Sequence, residues 1–482
     1  AAMNRSFFTP GRILALASLL LFMIFWAVWF FAYPYFMIWL EGYSFFSTLP
    51  DFSSLFRSIP EGLPGYVGAF LHQFFKWPAA GAAIQSLMAV WPVVCTGIIV
   101  IRLFDNPGRL LWAAFIPLPF FVLRQFWDLH MYFTVIYDAV FTGIMLVVLI
   151  FTLIRRVTIK VPKWIGSLWV NVCIILSVVG SSLYFLIVLD ERNHTQIAYD
   201  RLEYFGENER WMDILEIVTP ADARGDDIKR HYALLALAKT GNLTQYAFLY
   251  GLDGSNCFLF YDNINPLCLN YNAIFCQSMG MHNATIHQCY QQGIQSVAGI
   301  GFSSIRRLAD TYIELKDYEL ARKYVDILEH STCHRSWVKD RLEQLEAIRN
   351  AKPEYGYDEF NAKIAEVTHL ISTMVDRNRN ARTYADLLLC ALLADAEGDK
   401  FLQIFRYIAQ IQYPDGRNIP RLYEEALILI SMVDPSAVQG FHISEETQQR
   451  FADYIALMNA GKGNQALRKY ADTYWVYSCR AQ

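Results

Sequence analysis

The chain has 482 residues, of which 54% are hydrophobic and 15% aromatic, and its formal net charge at pH 7 is −4. Because it is slightly acidic and has no basic stripe, we expect no nucleic-acid partner. Long apolar runs fill the first part of the chain, and charged residues become frequent only afterwards. The sequence predicts an all-α protein with a transmembrane helical bundle over 1–192 and a soluble helical domain over 193–482.

Apolar runs in the first part predict about five membrane-spanning helices. A helix needs roughly 20 mostly apolar residues to cross the hydrocarbon core, and the run over 13–40 exceeds that length. It is too long for a cleaved signal peptide, and no small-residue cleavage site follows it. The third run is short and contains Pro117 and Pro119, so it is either kinked or enters and leaves on one side. The predicted spans are 13–40, 79–103, 110–123, 131–154 and 164–189.

Basic residues near the ends of these runs predict the orientation in a bacterial inner membrane. If every span crosses, all of them lie on one side, which we assign to the cytoplasm together with the N-terminus. The outward loop over 41–78 and the domain over 193–482 then face the periplasm, and the number of crossings is odd. The basic residues are Arg5, Arg12, Arg102, Arg109, Arg155, Arg156, Lys160 and Lys163.

Polar residues at or inside the predicted bundle are the candidates for chemistry. An ionisable side chain inside a membrane is costly, so Asp138, about two turns inside the fourth span, is a functional candidate by default. Acidic groups at the outward end of the predicted bundle could activate a hydroxyl or stabilise a leaving group. The alternative is that Asp138 pairs within the bundle and the others are simply solvated. The catalytic candidates are Glu41, Asp51, Asp128, His130 and Asp138.

One segment of the second part carries a repeat signature. Residues 303–328 read SSIRRLADTYIELKDYELARKYVDIL, with small and aromatic residues at tetratricopeptide-repeat positions, and 234–247 and 451–470 are weaker copies. Stacked pairs of this kind form an α-solenoid, whose concave face binds a peptide or a protein. The alternative is a helical domain that only packs on the membrane part. The residues predicted to contact a protein partner are Tyr312, Tyr318 and Tyr324.

Four of the nine cysteines cluster in the predicted periplasmic domain. An oxidising compartment favours one or two disulfides among them. Their spacings do not match a zinc pattern, although His282 and His287 lie close, so we predict disulfides rather than a metal site. We also predict no cofactor, because no phosphate loop, GxGxxG, GxSxG or HExxH motif occurs. The disulfide candidates are Cys257, Cys268, Cys276 and Cys289.

Three stretches resemble an uncharacterised family of multi-span envelope proteins of Bacteroidota. They are the exit of the first span at Trp39-Leu40-Glu41, the loop 60–78 (PEGLPGYVGAFLHQFFKWP) and the tail 470–475 (YADTYW). The resemblance implies several spans followed by a tetratricopeptide-like tail. The family has no established activity to carry over.

A second resemblance is to membrane glycosyltransferases of the multi-span C-type fold, which carry an acidic residue in the first outward loop. Glu41 or Asp51 would occupy that position, but this chain has fewer spans and no paired acidic motif. We therefore predict an envelope protein anchored in the lipid bilayer. Its periplasmic repeat domain would bind a protein partner, as a subunit or scaffold of a larger assembly. The alternative is a glycosyltransferase that uses a lipid-linked sugar donor; whether the chain is an enzyme stays open.

Overall fold

The computed structural model describes residues 9–125, 128, 131–155, 158–161, 168–184, 187, 191–260, 265–295, 299–355, 367–378 and 380–481. Within these residues the regular elements are helices, and the isolated β-bridge between Phe104 and Ile159 belongs to no strand. The protein is therefore all-helical across the described chain, as predicted.

The helices of the first part include several short ones between the long apolar ones. They are α1 Pro10–Ala32, α2 Pro34–Tyr43, α3 Pro50–Ser58, α4 Gly62–His72, α5 Pro78–Leu103, α6 Leu118–Gln125, α7 Tyr132–Arg155, α8 Leu168–Tyr184 and α9 Glu191–Glu207. Single 3₁₀ turns lie at Gln73–Lys76, Pro107–Arg109 and Leu111–Phe115.

The helices of the remaining chain are mostly between 6 and 15 residues long. They are α10 Trp211–Ile217, α11 Pro220–Gly225, α12 Asp227–Lys239, α13 Leu243–Tyr246, α14 Pro266–Ser278, α15 His282–Gln295, α16 Phe302–Glu314, α17 Tyr318–Glu329 and α18 Arg335–Ile348. They continue with α19 Val367–Arg377, α20 Arg382–Ala394, α21 Gly398–Gln412, α22 Arg421–Val433, α23 Glu445–Asn459, α24 Gly463–Lys469 and α25 Tyr474–Ala481.

The chain divides into two compact units that interleave along the sequence. The first unit comprises Ala1–Arg201, Ala298–Ala309 and Glu319–Arg349. The second unit comprises Leu202–Val297, Asp310–Tyr318 and Asn350–Gln482. Two segments of the predicted periplasmic domain thus belong to the same compact unit as the apolar helices.

Among the described residues, three helices are long and apolar enough to cross a membrane, namely α1, α5 and α7, where five spans were predicted. The predicted third span divides at Pro117 into a 3₁₀ turn and α6, whose 8 residues extend only about 12 Å. Helix α8 is described over 17 residues, which extend about 26 Å, slightly less than the roughly 30 Å hydrocarbon core. The predicted first span is also interrupted, because Pro34 has no N–H and disfavours helical backbone at Tyr33.

The core of the first unit lies where α1 packs on α5 and α5 packs on α7. Phe25 and Trp29 of α1 are fully buried there beside Val93 of α5. A Cβ atom at Gly97 would lie 2.5 Å from the Leu14 side chain, so the missing side chain lets α1 and α5 approach closely. Outer residues of the same helices are apolar yet exposed, as expected for contact with lipid; they include Leu20, Val147, Leu153 and Ile154.

The second unit is built around four largely buried helices, α12, α14, α20 and α22. Helix α12 packs on α14 and also on α20, while the short α13 packs on both α20 and α22. In a solenoid each repeat contacts only its neighbours in sequence. The contacts of α12 and α13 with helices far along the chain differ from that pattern, and the predicted α-solenoid is not confirmed.

Six helix-to-helix turns within the second unit share one backbone geometry. In each, one residue has a positive φ between 54° and 74°. The amide of the following residue then donates to the carbonyl five residues earlier, at 2.8–3.0 Å. This is the Schellman arrangement, which ends one helix and directs the chain back into the next. The positive-φ residues are Glu209, Gly241, Gly280, Lys316, Ala396 and Gly461.

Candidate functional site

The predicted candidate Glu41 is buried in an acid–histidine pair. It lies in α2, just beyond the first apolar helix, and its Oε1 is 2.7 Å from Nε2 of His334. Both side chains are buried, and the Phe302 ring stacks on the His334 imidazole with 3.5 Å between ring centroids. Because the carboxylate is enclosed, this pair is suited to holding segments together rather than to meeting a substrate.

Hydrogen bonds around the pair join the loop 41–78 to the segment 330–334. The Gln73 Oε1 atom accepts bonds from the Ser331 hydroxyl at 3.1 Å and from the Thr332 amide and hydroxyl at 3.0 and 2.8 Å. The Thr48 amide donates to the His330 carbonyl at 3.0 Å. One loop side chain therefore satisfies three donors of a distant segment, which fixes the register of the two segments.

A second set of contacts joins the same loop to the start of α16. The Phe302 amide donates to the Ser44 carbonyl at 2.9 Å, and the Ser303 hydroxyl donates to the Gly42 carbonyl at 3.1 Å. A Cβ atom at Gly301 would lie 2.6 Å from the Gly42 carbonyl oxygen, so glycine is required for this approach. We call the whole surface, formed by 41–48, 73–76, 301–303 and 330–334, the docking seam.

The other predicted catalytic candidates do not converge on Glu41. Asp128 is buried and accepts bonds from the Thr134 amide and hydroxyl at 2.6 and 2.8 Å, which caps the start of α7. Asp138 is buried in α7 and its Oδ1 has no hydrogen-bond partner among the described residues, whereas Asp51 is exposed on α3.

Within the described part of the chain, no hydrogen bond or ion pair joins any two of these acids, and no group of three or more His, Cys, Asp or Glu could hold a metal ion. His130 lies outside the described residues. Among the described candidates the structure shows no shared contact, and a catalytic role for them stays a prediction.

The tyrosines predicted to contact a partner are mostly interior residues. Tyr312 and Tyr324 are 6% and 4% exposed, and Tyr318 is half-buried at the start of α17. Both rings are buried, as the aromatic position of a helical repeat is. They leave little surface for a partner, so partner contact at these rings stays a prediction.

The four clustered cysteines are all buried. Cys257 and Cys268 are thiols, and the Cys257 thiol donates to Asp253 at 2.8 Å. Burial raises the pKa of Cys257 to about 12 and that of Cys268 to about 11. Both therefore stay protonated near neutral pH and are poor nucleophiles and poor metal ligands. The predicted disulfides stay a prediction.

An open cavity of about 380 Å³ in the second unit was not anticipated from the sequence. It lies beside α22, between the loop that follows α21 and the start of α23. Its polar lining includes Arg417, Asn418, Arg421, Glu424, His442 and Glu446.

Two features hold the cavity walls in place. The His442 amide donates to the Gly416 carbonyl at 2.9 Å, and Gly416 has a φ of +62° that favours glycine. The buried Glu424 carboxylate accepts bonds from the Ser444 amide at 3.1 Å and the Ser444 hydroxyl at 2.6 Å, and also from the Thr447 hydroxyl. The walls are thus fixed before any ligand arrives.

Most charges near the cavity are already paired. Arg421 lies 3.2 Å from Glu425 and 3.0 Å from Asp472, and Arg450 also contacts Asp472, at 3.2 Å. Arg417 is exposed and has no ion-pair partner among the described residues. Among the described residues, the cavity therefore offers one uncompensated guanidinium, at Arg417, and one uncompensated carboxylate, at Glu446.

Sequence reasoning missed this site because its parts are separated along the chain. The loop YPDGRNIP after α21 contains turn-forming residues, which predict a turn but not what faces it. Glu424 lies in a helix whose sequence is mostly apolar, so it does not stand out as a site residue. Its partners Ser444 and Thr447 match the pattern of an ordinary helix N-cap.

Across the described residues, the geometry defines an all-α protein with apolar helices long enough to cross a membrane in one unit and a buried-core helical assembly in the other. A protein-family profile described as a family of unknown function, DUF6057, matches residues 10–190 and 158–480, and the chain belongs to this family. Comparison with curated proteins and with solved structures gives no significant match.

Proposed function

We propose that the protein is an envelope protein, anchored in a bacterial inner membrane, whose second unit binds a protein partner on the periplasmic side. The observation that carries partner binding is the preformed polar cavity beside α22, with its uncompensated Arg417. Helical hairpins that end in a repeated turn are a common framework for such binding surfaces. The placement of this unit in the periplasm rests on the contacts of the first unit.

Contacts on one side of the bundle support parallel α5 and α7. The Asp105 amide donates to the Ile159 carbonyl at 3.1 Å, and the Ile159 amide donates to the Leu103 carbonyl at 2.7 Å. The residues just after α5 and just after α7 are therefore adjacent. The Asn171 side chain also donates to the Gly108 carbonyl at 3.3 Å, which places the beginning of α8 on that side.

Parallel α5 and α7 require the chain between them to return across the membrane. Helix α7 has 24 residues and extends about 36 Å, so Tyr132 lies a full bilayer core away from Ile159. Residues 110–131, with α6, would make this third crossing in pieces that α5 and α8 cover, since both pack against it. Helix α8 would then supply the fifth crossing, which gives the odd number that the basic residues predict.

The docking seam supports the same arrangement on the opposite side. Loop residues 41–48 and 73–76 can contact 301–303 and 330–334 only if both lie on one side of the bilayer. Arg102, Arg109, Arg155 and Lys160 would then lie together on the other side, which the positive-inside rule assigns to the cytoplasm. The seam therefore faces the periplasm in this proposal.

A cysteine-labelling experiment tests the topology. Single cysteines replace Asp51, Lys160 or Lys462 in a protein whose least buried native cysteines, Cys173, Cys333 and Cys479, are alanine. We expect a membrane-impermeant maleimide to label positions 51 and 462 in intact spheroplasts, and position 160 only after lysis. Labelling of positions 160 and 462 from the same side would contradict the proposed topology.

Partner binding is tested with a photo-activated cross-linking residue in place of Asn418, at the cavity, or of Arg468, which is exposed on α24 away from it. We expect a discrete adduct of defined mass from position 418 in intact cells and none from position 468. Adducts of equal yield at both positions would mean that the cavity is not a binding surface. The glycosyltransferase alternative gains no support, because the acids it requires are not brought together.

A further inference from the structure

We infer that the cavity beside α22 binds a carboxylate of an extended peptide chain, supplied either by a C-terminus or by an Asp or Glu side chain of the partner. This inference rests on the proposed partner binding and names its chemistry. It depends on which lining groups still have unused hydrogen-bonding capacity and unpaired charge.

Arg417 is the group best suited to a carboxylate. Its planar guanidinium carries five N–H donors, and a carboxylate can accept two of them in parallel. The next residue, Asn418, is exposed with a φ of +57° and has no hydrogen bond among the described residues. Two adjacent side chains with free donors therefore border the opening of the cavity.

The other residues that line the cavity favour a peptide over a multiply charged anion such as phosphate. Arg421 is paired with Asp472, and with Glu425 when that carboxyl is ionised, so it is less available to a phosphate group than Arg417 is. Glu446 is exposed and has no ion pair among the described residues, and it would repel a multiply charged anion. A single carboxylate bound at Arg417 is repelled less than a multiply charged anion, and the backbone N–H groups of the peptide can donate to Glu446.

The orientation of His442 adds an acceptor to the same lining. Its Nδ1 lies 3.1 Å from the Ile443 carbonyl oxygen, which accepts but cannot donate. In the neutral imidazole the proton is therefore on Nδ1, and Nε2 is an acceptor for a ligand N–H. A volume of about 380 Å³ lies within the range of small-ligand sites, large enough for a few residues of a chain.

The test offers mixtures of randomised octapeptides, as free acids and as C-terminal amides, to the full-length protein in lipid nanodiscs. We expect retention of the free acids over the amides if a C-terminus binds, and enrichment of Asp and Glu in both mixtures if a side chain binds. Arg417→Gln should reduce either enrichment about tenfold, the loss expected for a charge-assisted bidentate contact. Arg468→Gln, at an exposed arginine outside the cavity, should leave it unchanged.

Variants of two neighbouring glutamates distinguish a carboxylate ligand from a basic ligand. Glu445 and Glu446 both lie in the first turn of α23, but only Glu446 lines the cavity. We expect Glu446→Gln to retain acidic peptides within about twofold of Glu445→Gln. Enrichment of basic peptides that Glu446→Gln abolishes would overturn the inference, as would acidic enrichment that Arg417→Gln leaves intact.

The two proposals fail differently. If the cross-link from position 418 forms equally well in Arg417→Gln, partner binding stands and the carboxylate inference is wrong. If neither a cross-link nor peptide enrichment appears in the wild-type protein, both are wrong. Because Arg417 is exposed, the variant should fold normally, and an unchanged unfolding midpoint checks this.

Discussion

The Glu41 carboxylate lies 2.7 Å from the His334 imidazole, in a buried pair that joins the exit of the first apolar helix to the loop after α17. Breaking a buried pair leaves one polar partner without compensation. The surrounding seam holds both residues through backbone and side-chain hydrogen bonds, so the remaining partner cannot simply turn towards water. This relationship gives the most direct tests of the first unit.

Replacement of Glu41 by glutamine should destabilise the first unit. We expect a loss of about 1–3 kcal/mol in Glu41→Gln, and a similar loss in His334→Gln, because each alters one side of a buried polar contact. Thermal unfolding of the purified protein in nanodiscs measures the effect. The double variant should recover part of the loss, whereas Asp51→Asn, at an exposed acid, should stay within about 0.5 kcal/mol of wild type.

Removal of the Gln73 acceptor should loosen the segment 330–334. In Gln73→Met three donors lose their common acceptor, and Ser331 is buried, so we expect a loss of about 1–3 kcal/mol. Hydrogen exchange at the Thr332 amide should accelerate accordingly. As a control, Gln449→Met changes an exposed glutamine and should leave this exchange rate as it is. An unaltered rate in Gln73→Met would mean that the seam is held without this residue.

The repeated turns predict opposite effects of exchanging glycine and alanine. Ala396 and Gly461 occupy the same position of two turns, with φ of 57° and 71°. An alanine at positive φ costs about 1–2 kcal/mol, so Ala396→Gly should raise the stability of the second unit and Gly461→Ala should lower it. Unfolding midpoints of the two variants compared with wild type measure this difference. Equal shifts in one direction would contradict the shared geometry.

A buried carboxylate predicts the pH dependence of the second unit. Burial raises the pKa of Glu425 from 4.5 to about 7, although the Tyr474 amide donates to it at 2.8 Å. The folded chain therefore binds this proton more tightly than the unfolded chain. The contribution of Glu425 to the free energy of unfolding therefore falls by about 3 kcal/mol as the pH rises from about 4.5 to about 7. Above that range it changes little.

Glu425→Gln removes this titration. Between pH 5 and pH 8 the unfolding midpoint of the variant should therefore fall less than that of the wild-type protein. Glu445→Gln, at an exposed acid, should keep the wild-type pH dependence. If Glu425→Gln and wild type lose stability in parallel over this range, the buried carboxylate does not control the pH response.

The membrane helices are predictable from the sequence where apolar composition alone decides them. Helices α5 and α7 lie within two residues of the predicted spans 79–103 and 131–154. The prediction fails where a proline interrupts the helix. Hydropathy averaged over 13–40 hides the break at Pro34, and hydropathy averaged over 110–123 hides the break at Pro117. Hydropathy records composition, whereas a helix also needs an amide donor at every turn.

The contacts that organise the candidate sites could not be predicted. Nothing in the local sequence pairs Glu41 with His334, because their meeting depends on how the roughly 300 intervening residues fold. Gly42 and Gly301 each look like ordinary loop residues, and their role appears only when their backbones lie together. The cavity at Arg417 is equally non-local, since its walls come from three separate stretches.

The interleaving of the two units has a consequence for biogenesis. The first unit includes residues up to Arg349, so the loop segments 41–48 and 73–76 lack their binding surface until that part of the chain has been synthesised. During this interval Gln73 and Glu41 have no stable counterpart, and a truncated protein ending near α9 would remain permanently in that unfinished state. Expression of the apolar half alone should therefore yield a substrate for membrane quality-control proteases, rather than an autonomous anchor.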